Sequence, residues 1–154
     1  MGIVAEAATK KRMRRRQHAL HAVVEGERSF DVTLVSQQHR LIGKIDEVVE
    51  TTAGAYLVDY KDNERDYGYW QVQMAAYRLC YEESGTMPCL GTFIYSIPTQ
   101  QYHEVTPQSR QRNKLFSILE TLDVMVDREV CPPPTRQRGK CRTCQYARFC
   151  NDVF

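Results

Sequence analysis

Two aspartates and a lysine in the first half of the chain, and a group of cysteines near its end, are the residues whose types and spacing could do chemistry. Asp46 lies in a run from Arg40 to Glu50 that alternates with period two, and Asp59 and Lys61 lie in Ala55 to Lys61, a stretch rich in Tyr, Leu and Val. Thr51-Thr52-Ala53-Gly54 between them is a turn signal. In an antiparallel hairpin, opposed residues are equidistant from the centre of the turn, and Asp46 and Asp59 are equidistant from the point between Thr52 and Ala53. If no bulge intervenes, their Cβ atoms face each other about 4.5–5.5 Å apart. Like charges so placed repel. A divalent cation between them removes the conflict, since Mg²⁺ is usually held by one or two carboxylates and keeps positions for water and phosphate oxygens. Lys61 shares the face of Asp59, while Tyr60 points away but can offer its carbonyl to the metal. An ammonium beside a metal-bound water can position a nucleophile and neutralise charge developing on a cleaved phosphodiester. The plainer reading is a surface hairpin with ordinary Asp–Lys ion pairs, each worth about 0–1 kcal/mol.

Cys141, Cys144 and Cys150 fall within ten residues, with Cys131 ten residues upstream. Residues 131–154 have few apolar side chains and no periodicity, so an external staple is needed to order them. Four thiolates suit an iron–sulfur cluster or Zn²⁺, and spacing alone does not separate the two. Cys80 and Cys89 read as small buried apolar residues.

The elements that would position these groups follow from periodicity. Residues 3 to about 24 read as a helix with a weak apolar stripe and six Lys or Arg between positions 10 and 16. Ser29–Val35, Arg40–Glu50 and Ala55–Lys61 read as strands, and Tyr67–Glu83 as a helix in which Trp70, Gln73, Met74, Tyr77 and Tyr81 recur at three and four. Cys89–Ile97 and Gln101–Val105 read as strands. Thr106-Pro107 opens a last helix with an apolar face of Leu115, Ile118, Leu119, Leu122 and Val126, ending near Asp127. The order α-β-β-β-α-β-β-α predicts an α/β fold (α+β, mixed sheet) flanked by helices, with residues 1–127 as the domain and 128–154 as a Cys-rich segment packed on it.

The 154 residues suffice for one compact domain, and 42% hydrophobic with 26% charged excludes collagen-like and low-complexity classes. The net charge of +2 is uninformative as a sum, but residues 1–40, 41–90, 91–105 and 106–154 carry +4, −5, −1 and +4. An acidic centre, where cations are expected, lies between two basic ends. Lys10 to Arg16, and Arg136, Arg138, Lys140, Arg142 and Arg148 with Tyr146 and Phe149 among them, read as surfaces for a nucleic-acid backbone or as solvated basic faces. No stretch reaches the roughly 18–20 apolar residues of a membrane span, and the start lacks a signal peptide, so a cytoplasmic location and no membrane partner are expected.

Gly43-Lys44-Ile45-Asp46, Asp59-Tyr60-Lys61 and Gln73-Met74-Ala75-Ala76-Tyr77 resemble the GxxD, (D/E)xK and QxxxY series of RecB-like nucleases in the PD-(D/E)xK superfamily. With the Cys-x2-Cys-x5-Cys tail, the chain is most similar to the CRISPR-associated RecB-like exonucleases, the fourth of the CRISPR-associated families. The resemblance covers residues 28–150 and implies a restriction-endonuclease-like core. It implies a nuclease, exonuclease or endonuclease, that acts on single-stranded DNA and trims prespacers beside the CRISPR integrase. In it Asp46 and Asp59 ligate Mn²⁺ or Mg²⁺, Lys61 is catalytic, and Gln73 and Tyr77 orient the substrate strand or the active site. It also implies a 4Fe–4S cluster on Cys141, Cys144 and Cys150.

Two features depart from that pattern. The upstream metal-ligating His has no counterpart near Val4 to Glu6, which leaves His18, His21 or an oxygen of Glu6 as the stand-in. No cysteine precedes Cys80, so either the chain begins after the usual first cluster ligand or Cys131 closes the set. A phage or repair nuclease outside CRISPR, or a cluster-bearing DNA-binding subunit without cleavage, are the alternatives.

Overall fold

A computed structural model of the chain describes residues 25–63, 68–84, 87–106, 109–130 and 138–150. The first helix expected from the sequence, His18 and His21 within it, and Cys131 lie outside these residues. The elements are β1 (Glu27–Ser36), β2 (Leu41–Glu50), β3 (Ala55–Lys61), α1 (Gly68–Ser84), β4 (Cys89–Ser96), β5 (Gln101–Glu104), α2 (Ser109–Asp127), α3 (Arg138–Thr143) and a 3₁₀ turn at Ala147–Phe149. The strands form one five-stranded mixed sheet in the order β1-β2-β3-β4-β5. Neighbours are antiparallel except β3 and β4, which run parallel. A parallel pair needs a long crossover, and α1 supplies it.

The β2–β3 hairpin is closed by Thr51. Its amide and its hydroxyl each donate to the Gly54 carbonyl at 2.8 Å, and the hydroxyl accepts from the amides of Ala53 and Gly54 at 3.2 Å. Gly54 has φ of 152°, and a Cβ there would lie 2.5 Å from the Pro88 carbonyl oxygen, so only glycine fits. The turn sets the register: Glu50 pairs with Ala55, Val49 with Tyr56, Val48 with Leu57 and Glu47 with Val58. This is the register expected from the turn centre, and it ends one step short of Asp46 and Asp59.

One layer of the core lies between the sheet and α1. Leu34, Ile45, Val48, Leu57 and Ile94 meet Trp70, Met74, Tyr77, Cys80 and Tyr81 there. The helical period predicted from Trp70, Met74, Tyr77 and Tyr81 is thus the period that buries α1. Cys80 and Cys89 are 2% and 6% exposed, and burial pushes both thiols up from their ordinary range.

The chain divides into two compact units, residues up to Phe116 and residues from Ser117 onward. Helix α2 ends at Asp127, where the apolar pattern stops, but only Leu115 of its apolar face is buried. Ile118, Leu122 and Val126 are exposed. Periodicity fixes that a face exists and not what covers it. No helix among the described residues is long and apolar enough to cross a membrane.

Candidate active site

The sheet is interrupted at Asp46 on both sides. The β1–β2 ladder pairs Phe30 with Glu47 and Val32 with Ile45 but skips Asp31 and Asp46, and Asp31 has a positive φ of 56°. The β2–β3 ladder stops at Glu47 and Val58. Beyond that point the amide of Tyr60 donates to Asp46 Oδ2 at 2.9 Å instead of to a strand carbonyl. Asp46 therefore stands in a local opening of the sheet, its carboxylate held by the neighbouring strand. Breaks of this kind re-aim a side chain, and they recur beside active sites.

Asp59 is 4% exposed. Burial pushes its carboxyl up to about 6; the Lys61 ammonium opposes this, and the adjacent Asp46 carboxylate adds to it. The Lys61 ammonium lies 2.5 Å from Asp59 Oδ2 and is its ionic partner. A buried carboxylate beside a second carboxylate, with one ammonium between them and solvent, is a charge arrangement that a divalent cation would stabilise, so the donor chemistry of these two residues fits a metal. Among the described residues no three His, Cys, Asp or Glu side chains are gathered at one point, so any third protein ligand from a side chain of these types comes from outside them.

The remaining motif residues form one row. Lys61 Nζ donates to Gln73 Oε1 at 2.9 Å, Gln73 Nε2 donates to the Tyr77 hydroxyl at 3.0 Å, and Tyr77 donates to the Lys44 carbonyl at 3.1 Å. Gln73 and Tyr77 share a face of α1 because they are four apart, and α1 sits over the hairpin because its apolar face covers the sheet. The row ends two residues before Asp46, so the helix fixes the lysine and the strand carrying the aspartate together. Asp46, Asp59, Lys61, Gln73 and Tyr77 are thus brought into one site.

Gly43 is explained by the same row. A Cβ there would lie 2.8 Å from Cε1 of Tyr77, so the ring can approach the strand only over a glycine. Gly43→Ala is expected to displace Tyr77 and cost about 1–3 kcal/mol, as overpacking does; a lower urea midpoint at unchanged slope checks it.

Sequence reasoning missed Trp70, whose ring centroid is 5.8 Å from Lys61 Nζ. Trp70 also lines a cavity of about 360 Å³ shared with Asn63, Gln71, Ser96 and Gln111, large enough for a nucleotide-sized group. It also missed Glu47, fully buried behind Asp46 and paired to Arg28 at 2.5 Å. An acid beside Val48-Val49 in a strand was the available signal.

In the second unit, Cys141 is buried and Cys144 and Cys150 are exposed. The amide of Cys144 donates to the Cys141 carbonyl at 3.3 Å, so the first two lie on one turn at the end of α3.

Comparison with known proteins agrees with this geometry. The chain is 30% identical over 141 residues to "CRISPR-associated exonuclease Cas4" of Francisella tularensis subsp. novicida (strain U112), covering 90% of this chain and 70% of that protein. The crystal structure of SSO0001 superposes with a TM-score of 0.57 at 10% identity, covering 99% of this chain and 71% of that one. A structure from Eubacterium rectale, described as a candidate exonuclease, superposes with a TM-score of 0.56 at 14% identity over 97% of this chain and 61% of that one. Both share the mixed-sheet fold. The PD-(D/E)XK nuclease superfamily model matches residues 3–151, and with the carboxylates, the lysine and the glutamine–tyrosine pair gathered at a break in the sheet, the chain belongs to that superfamily as a Cas4-like RecB-type nuclease.

Proposed function

We propose that this nuclease is a Mn²⁺- or Mg²⁺-dependent deoxyribonuclease acting on single-stranded DNA, exonucleolytically or endonucleolytically, and that it trims prespacers beside the CRISPR integrase in the cytoplasm. The observation that carries the chemical part is the hydrogen-bonded row from Lys61 to the Lys44 carbonyl, which aims an ammonium at two carboxylates in an opened sheet. The CRISPR part is supported by the relative from Francisella and what its name says it does.

In this reading Asp46, Asp59 and the Tyr60 carbonyl hold the divalent ion, with His18 as the upstream ligand. The bound ion supplies Lewis-acid polarisation of the phosphate and a more acidic water. Lys61 is the catalytic cation. Held between Asp59 and Gln73, it faces the attacking oxygen and the negative charge that develops on the phosphate. Gln73 and Tyr77 position it. The cavity lined by Trp70, Gln71 and Ser96 receives a nucleotide of the substrate strand.

The tail is proposed to carry a 4Fe–4S cluster on Cys141, Cys144, Cys150 and Cys131, with Zn²⁺ as the alternative. Thiolate donors suit both, and such a group would order a segment that cannot bury a core. Oxygen-free purification followed by iron, sulfide and zinc analysis is expected to give iron and acid-labile sulfide in equal amounts. One zinc per chain without sulfide would overturn the cluster.

The central test is cleavage of single- and double-stranded DNA with and without Mn²⁺, the Lys61→Ala variant in parallel. Metal-dependent cleavage preferring single strands, lost in the variant, supports the reading. Binding without cleavage in any divalent ion would leave a DNA-binding subunit instead. Co-purification with a CRISPR integrase tests the partner; its absence alongside active cleavage would favour a phage or repair role.

A further inference from the structure

On the face of the sheet opposite Asp46 and Asp59, each of the five strands contributes one side chain to a polar belt. Arg28 on β1 pairs with Glu47 on β2 at 2.5 Å. The Tyr60 hydroxyl on β3 donates to the other oxygen of Glu47. The Tyr60 ring meets Tyr95 on β4 edge-on, with centroids 5.3 Å apart, and Tyr95 meets Tyr102 on β5 at 4.6 Å. Tyr102 also hydrogen-bonds Tyr60, and its phenol is pushed up chiefly by burial and then by the Glu47 carboxylate. Glu47 is 0% exposed.

The placement of this belt gives it a second consequence. Glu47 follows Asp46 and Tyr60 follows Asp59 in sequence, so the two residues bonded behind the sheet carry the two carboxylates in front of it. Backbone pairing of β2 with β3 has already ended at Glu47 and Val58. Past that point the strands are tied by the Tyr60 hydroxyl on Glu47 and by the Tyr60 amide on Asp46 Oδ2. Tyr60 thus holds both: its side chain fixes the strand spacing from behind, and its amide orients the Asp46 carboxylate in front.

We infer that Tyr60 and Glu47 are positioning residues that set the spacing of Asp46 and Asp59, and so the affinity of the site for a divalent cation, through a hydrogen bond on the far side of the sheet. The inference rests on the metal-dependent reading above. Outer groups that orient metal ligands typically change metal affinity by about 10–100-fold when removed.

The test is Tyr60→Phe, which removes only the hydroxyl. The expected result is an increase of about tenfold in the Mn²⁺ concentration for half-maximal cleavage, with kcat at saturating Mn²⁺ within about threefold of wild type. Val49→Ala, a buried truncation elsewhere on β2, is the stability control and is expected to leave half-saturation unchanged. The double variant Arg28→Met/Glu47→Gln keeps an acceptor for Tyr60 without a buried charge and is expected to stay near wild type. Amide hydrogen exchange of the metal-free proteins supplies a readout that needs no metal: Tyr60→Phe is expected to speed exchange at residues 59–61 and not in β4. Unchanged exchange there would overturn the inference whether or not the enzyme uses a metal. Faster exchange with unchanged half-saturation would also overturn it, reducing the belt to a structural tie. Cleavage independent of any divalent ion would defeat the metal-dependent reading, and with it the affinity half of the inference. The exchange data would still decide the spacing.

Discussion

Lys61→Ala is expected to lower metal-dependent DNA cleavage by about 10²–10³-fold, the loss typical when one preorganised donor to developing charge is removed. The loss should fall on kcat, with DNA affinity nearly unchanged, because Lys61 is held inward by Asp59 and Gln73 and is not part of a broad basic surface. Lys61→Arg is not expected to rescue. The Gln73 oxygen accepts from a point-like ammonium at 2.9 Å under the Trp70 ring, and a planar guanidinium does not fit that geometry. Gln73→Ala should give a smaller loss, since it frees the lysine without removing it. Single-turnover kinetics on labelled single-stranded DNA measure all three. A Lys61→Ala enzyme cutting at the wild-type rate would remove this lysine from the chemistry.

The second large effect concerns Asp59 and has opposite signs for activity and stability. Its folded-state pKa, about 6, lies above the ordinary value near 3.9. The folded protein therefore binds this proton more tightly than the unfolded chain does. The stability so contributed is fully present below about pH 4 and is lost as pH rises through about 6. Above that, ionising the buried carboxyl in the metal-free protein costs up to about 3 kcal/mol. Asp59→Asn removes the titration. Metal-free Asp59→Asn protein is expected to be more stable than wild type at pH 7.5, by a margin that shrinks as pH falls toward 4. It should be inactive at every pH. Mn²⁺ should raise the melting temperature of wild type and leave that of the variant unmoved. Denaturant titrations across that pH range check the sign: a wild-type protein that is the more stable at pH 7.5 without metal would show that Asp59 is not held at a cost.

Much of this site was legible because a tight turn counts residues. With Thr51–Gly54 as the turn, the register of β2 on β3 follows as far as Glu47 and Val58, one step short of Asp46 and Asp59. The helical recurrence of Trp70, Met74, Tyr77 and Tyr81 likewise contained its own answer, since a single stripe can cover only one face. The opening at Asp46 was not legible. It depends on Asp31, fifteen residues away, taking a left-handed conformation that its side chain tolerates but does not announce. Glu47 was passed over because alternation treats an acid in a half-buried strand as outward-facing, whereas here both faces of the sheet carry buried side chains. The apolar stripe of α2 was read correctly as a helix face, and its exposure belongs to tertiary arrangement that no local pattern encodes.

The row from Lys61 through Gln73 and Tyr77 to Lys44 has a direction. Every donor in it points away from the lysine and the last acceptor is a peptide carbonyl. An amide nitrogen does not give up its proton at neutral pH, so Gln73 cannot relay one, and the helix side of Lys61 is a dead end for proton transfer. Proton traffic during hydrolysis is confined to the carboxylate side and to solvent. Helix α1 contributes a fixed field to the reaction, and no wire.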